Sequence, residues 1–146
     1  MTTITPYLQF SGQLEEALNF YSEFLEVEIA MLLRFSESPD PVPEGMLAEG
    51  FDQKIMHASF SIQGTPLMAS DGCSPDETFR SFSLSLTMPN EDEAHRVFET
   101  FARSGNVEMP IDKTFWSPCF GMVTDKFGLQ WMVTVPDESQ SDPEMT

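Results

Sequence analysis

Polar and apolar residues alternate at the start of the chain, then recur at three and four, then alternate again. This cycle is stated twice. Residues 4–10 (ITPYLQF) alternate and carry aromatics, which predicts a strand. In the stretch SGQLEEALNFYSEFLEVE, apolar Leu14, Ala17, Leu18, Tyr21, Phe24 and Leu25 share one helical face. An amphipathic helix starting at Ser11 or Gly12 is expected. Residues 27–35 predict a second strand. Residues 36–53 hold three prolines, two glycines and five acids, the composition of a long loop. IMHASFSI and TPLMASD then form a hairpin turning at Gln63 and Gly64.

The order restarts after residue 78. Residues 79–88 (FRSFSLSLTM) alternate as a strand. A helix follows, with Asn90 as its N-cap, acids in its first turn, and Ala94, Val97, Phe98 and Phe101 on its apolar face. Gly105 suits the C′ position. VEMPIDKTFW, CFGMVTD and LQWMVTV supply three more strands. The halves also align by residue: EEALNFYSEF at 15–24 lies over DEAHRVFETF at 92–101. Gly64 and Gly128 are each followed four residues later by a methionine, Met68 and Met132. The reading is an α+β fold of two βαβββ modules, at about 1–72 and 79–136, forming a curved mixed sheet in a single domain, 1–136. An acidic flexible tail covers 137–146.

Charge and composition narrow the function classes. The chain has 146 residues and a formal charge of −17, from 24 acidic and 7 basic residues. Such a charge repels nucleic acid and anionic lipid at long range. No apolar run approaches the roughly 20 residues of a membrane helix, and the first ten residues lack the basic-then-apolar order of a signal peptide. Cys73 and Cys119 read as free thiols in a reducing cytoplasm. No nucleic-acid or membrane partner is expected.

The double βαβββ pattern, with FYSEFLEVE after the first strand and DKFGLQWMV at the end, resembles the vicinal oxygen chelate superfamily of glyoxalases, bleomycin-resistance proteins and extradiol dioxygenases. TPYLQFSGQLEEALNFYSEFL, the IQGTPLMASD hairpin and TFWSPCFGMVTDKFGLQWMV resemble its PhnB-like branch. Some members of that branch carry the label 3-demethylubiquinone 3-methyltransferase. The resemblance implies a cup of strands in which four inward positions hold a metal through His, Glu or Gln. Those positions fall on Thr5, Met68, Ser83 and Met132. None is a first-choice ligand for zinc, nickel, manganese or iron, so neither metal nor cofactor is expected. The label implies a methyltransferase, yet no Gly-x-Gly loop of the usual S-adenosylmethionine type occurs in the sequence.

The remaining candidates are few. His57 lies in a strand, as a structural group or as a base or carboxylate binder. With Tyr7, it is a candidate for orienting a ligand. Trp116 is a candidate stacking platform, and Cys119 is expected beside the cup mouth. The expected activity is metal-free binding of a small organic ligand in an apolar cup, by a homodimer. The alternatives are a metal-dependent lyase, isomerase or dioxygenase, or a drug-sequestering protein.

Overall fold

The structure is a computed structural model that describes residues 2–40, 42–72 and 78–137. The expected tail lies outside these residues, apart from Asp137, and so does Cys73. Two compact units emerge, Met1–Thr78 and Phe79–Thr146.

The first unit contains β1 (Tyr7–Gln9), α1 (Leu14–Ser22), β2 (Val27–Arg34), β3 (Ile55–Ile62) and β4 (Thr65–Ser70). Its sheet has the order β1-β4-β3-β2, with β1 parallel to β4 and the other pairs antiparallel. The second unit repeats this plan with β5 (Leu84–Thr87), α2 (Glu91–Ser104), β6 (Asn106–Asp112), β7 (Cys119–Thr124) and β8 (Gln130–Val135). Its order is β5-β8-β7-β6, and β5 runs parallel to β8. Both βαβββ modules are therefore present. Each sheet is two-faced because strand side chains alternate. In the second unit, Val123, Trp131 and Val133 are buried on the face that α2 covers with Ala94, Val97, Phe98 and Phe101. In the first, Leu8, Ala58, Phe60, Leu67 and Ala69 form the buried face, and Leu14, Ala17, Leu18 and Tyr21 of α1 are buried too.

Several boundaries differ from the sequence expectation, each for a local reason. β1 has three residues because Pro6 just before it lacks an N–H to donate. Thr5 therefore precedes the strand. β5 has four residues because Ser81 adopts a left-handed φ of 64°. β6 ends at Asp112, past Pro110 and a register shift, so Trp116 lies outside it. Helix α1 begins at Leu14, with Gln13 at the cap position and no cap from Gln13's own side chain. Instead, the Asp71 carboxylate, just past β4, accepts from the Leu14 N–H at 2.7 Å and from the Ile55 N–H at 2.7 Å. Asn90 does cap α2, accepting from the Glu93 N–H at 2.9 Å.

Gly105 is extended rather than left-handed. A Cβ there would run into the Thr124 carbonyl oxygen, so close approach explains the glycine. The long acidic loop is anchored at its far end. Phe51 is buried in a short 3-10 turn, Phe51–Gln53, and a Cβ on Gly12 would meet its ring at 3.0 Å.

Candidate functional site

The face of each sheet opposite its buried side holds Tyr7, His57 and Met68 in the first unit and Ser83 and Met132 in the second. In the first unit, strand pairing sets Tyr7, Met68, Ser59 and Met31 in one row across all four strands. His57 lies one step along the same face of β3. The Tyr7 hydroxyl is 3.2 Å from His57 Nδ1, and the rings are 5.7 Å apart. Thr5, Ser59 and Met68 also line a depression of about 420 Å3 with Glu28 and Pro66. Thr5, Tyr7, His57 and Met68 are thus neighbours on one open face.

The second unit has a matching row of Ser85, Met132, Met122 and Met109. Three thioethers on adjacent strands make this face apolar and adaptable. Met132 and Ser83 line a depression of about 690 Å3, together with Phe79, Arg80, Phe82 and Gln130. The Ser83 hydroxyl donates to Gln130 Oε1.

Trp116 is 41% exposed and lies 5.3 Å, edge to face, from Phe120 on β7. Phe115 stands edge to face with Trp116, 4.7 Å away. This aromatic cluster is separate from the residues lining the Met132 depression. Cys119 corrects an expectation. It sits on β7 in step with Val123, on the helix-covered face, and is 2% exposed. Alternation along CFGMVTD already carried this parity: Cys119 and Phe120 cannot share a face. Burial pushes the Cys119 thiol up, with Glu91 and Asp112 adding to the effect. The thiol is held in its protonated, less reactive form.

Two buried carboxylates organise the surroundings, and neither is among the candidate site residues that the sequence supplies. Asp71 is 1% exposed. Burial raises its pKa, and the two N–H donors oppose that rise incompletely. Asp125 accepts from the Phe127 and Leu129 N–H groups and from Trp131 Nε1 at 2.8 Å. Trp131 in turn stacks on Phe101, 4.9 Å away. This network fixes the DKFG turn, whose Gly128 takes a φ of 90°, and hence the register that places Met132. A signal existed in the sequence: Asp followed by Gly three residues later is turn chemistry in which Asp bonds nearby N–H groups.

A transition metal of the kind the superfamily holds needs imidazole, carboxylate or thiolate donors. Thr5, Met68, Ser83 and Met132 bring hydroxyls and thioethers, but no imidazole, carboxylate or thiolate. Among the described residues, no three His, Cys, Asp or Glu side chains group as metal ligands. The donor set does not fit the metals named above.

Comparison with known proteins agrees with this architecture. The family model described as 3-demethylubiquinone-9 3-methyltransferase matches residues 2–134. The chain belongs to this family. It is 35% identical over 140 residues to Protein YjdN of Escherichia coli, covering 90% of this chain and 94% of that protein. Protein PA1353 from Pseudomonas aeruginosa is 38% identical with a TM-score of 0.79, covering 93% of this chain and 98% of that one. A PhnB protein from Bacillus cereus, described as a putative 3-demethylubiquinone-9 3-methyltransferase, is 31% identical with a TM-score of 0.75. There the coverage is 92% and 99%. Glyoxalase-related and bleomycin-resistance or dioxygenase structures, at 11 to 17% identity and TM-scores of 0.55 to 0.61, share the fold alone. The α+β fold is thus the glyoxalase/bleomycin-resistance type, and the family is the PhnB-like one.

Proposed function

We propose that this family member binds a small, largely apolar organic molecule on the open sheet faces, without a catalytic metal, and does so as a homodimer. The observation that carries the reading is the pair of rows through Met68 and Met132. Each puts a thioether where the fold family's metal chemistry needs a strong donor. Apolar pockets with a few placed polar groups are the usual form of small-molecule sites. Here the Tyr7–His57 pair and the Ser83–Gln130 pair supply those groups. Methyl transfer, which the family description names, gains no support from the eight glycines, none of which fall in a Gly-x-Gly arrangement. A thermal-shift screen of aromatic and quinone-like compounds tests the reading. Stabilisation by a subset of them, in protein without stoichiometric zinc, nickel, manganese or iron, is expected. No response across the panel would overturn it.

A further inference from the structure

The open face of the second unit carries a feature that apolar binding alone does not use. A strand running back from Leu84 through residue 79 would alternate, with Phe79, Ser81 and Ser83 on one face and Arg80 and Phe82 on the other. The left-handed Ser81 breaks that alternation. As a result all five residues, Phe79 to Ser83, line the same depression with Met132 and Gln130. Left-handed conformations in residues other than glycine are uncommon and concentrate at functional sites. Arg80 is exposed and makes no ion pair or hydrogen bond among the described residues, in a chain where acids outnumber bases 24 to 7. By contrast, Arg34 is paired with Glu15 at 2.5 Å. Phe79 and Phe82 stand edge to face, 6.0 Å apart, and Phe82 is 42% exposed. The rest of the lining includes the half-buried Met132 and the Ser83–Gln130 pair, and among the described lining residues Arg80 is the one cationic group.

We infer that this depression is a site for planar aromatic acids, with Arg80 holding the carboxylate and Phe79, Phe82 and Met132 contacting the ring. This rests on the proposed binding function and specifies its ligand class. A guanidinium presents a planar fork that matches a carboxylate, and it stacks against aromatic rings as an ammonium does not. A cavity of about 690 Å3 suits a two-ring molecule.

The test is calorimetric titration of the full chain with naphthoate and with naphthamide, its neutral near-isostere. The wild type should bind naphthoate at least about tenfold more tightly, the size of one charge-assisted hydrogen bond. Arg80→Met should abolish that preference while leaving naphthamide binding within about twofold. Arg80→Lys should restore part of it. Circular dichroism checks that each variant folds. Equal binding of the two compounds to wild type, or equal weakening of both in Arg80→Met, would overturn the inference. If neutral compounds from the screen bind and naphthoate does not, this inference fails and the broader function stands. If nothing in either set binds, both fail.

Discussion

At the residue scale, Met132 and Asp71 make opposite demands on their surroundings. Met132 is half-buried in an apolar row, between Ser85 on one side and Met122 on the other. Replacing it by Glu puts a carboxylate into a half-buried apolar row, at a cost of about 1–3 kcal/mol unless it is protonated or paired. Met132→Glu should therefore lower the melting temperature and weaken apolar ligands. It should create no metal centre, because Thr5, Met68 and Ser83 remain weak donors. Thermal shift with and without ligand reads both effects, and unchanged stability and ligand response would remove Met132 from the site. Asp71 is a buried carboxylate with two backbone donors. Asp71→Asn offers a single carbonyl oxygen and turns an amide N–H toward the other donor. A loss of about 1–3 kcal/mol is expected by denaturant unfolding. The folded pKa of Asp71 lies above its unfolded value. The folded state therefore keeps the proton over the window between the two, and this group's contribution falls as pH rises through that window. The cost of Asp71→Asn should accordingly be larger near about pH 4 than near about pH 7. A cost that grows toward neutral pH would contradict that direction.

At the scale of elements, periodicity made most of the fold legible. The α2 face, the hairpin at Gln63 and Gly64, and the βαβββ order of both units follow from periodicity and from the repeat, whereas the pairing of the strands does not. What periodicity could not show were interactions between residues far apart in sequence. The cap of α1 comes from Asp71, 57 residues beyond Leu14. The early end of β6 and the late start of β5 depend on Pro110 and Ser81, whose surroundings are set by the sheet. The candidate positions Thr5, Met68, Ser83 and Met132 rest on the family resemblance, which alternation alone does not supply. The parity of Cys119 turns it onto the buried face, and a regular strand would turn Arg80 away from the open one. Gly121 shows how closely the helix seats. A Cβ there would lie 2.7 Å from Phe98 of α2 and 2.9 Å from the Ile111 backbone. Gly121→Ala should push α2 or β6 outward and cost at least about 1 kcal/mol. Unfolding midpoints measure this, and an unchanged midpoint would mean the interface yields freely.

At the scale of the whole molecule, the open faces and the charge bear on assembly. Edge strands β2 and β6 expose large apolar groups: Ile29 is 52% exposed, Met31 45%, Val107 41% and Met109 39%. Unpaired edges of this kind invite pairing with another chain, while a charge of −17 opposes indiscriminate association. A specific homodimer reconciles the two, and its interface should bury roughly 1,200 Å2 or more in total. Light scattering at micromolar concentration should give twice the chain mass of 16.5 kDa. The monomer mass at every concentration would refute it. Among the described residues no helix is long and apolar enough to cross a membrane. Binding without a metal is tested by comparing one ligand's affinity before and after chelation. Protein purified without chelator is titrated calorimetrically with the best compound from the screen, then dialysed against chelator and titrated again. The same dissociation constant is expected in both titrations. Loss of binding after chelation, restored by one equivalent of a divalent transition metal, would contradict it.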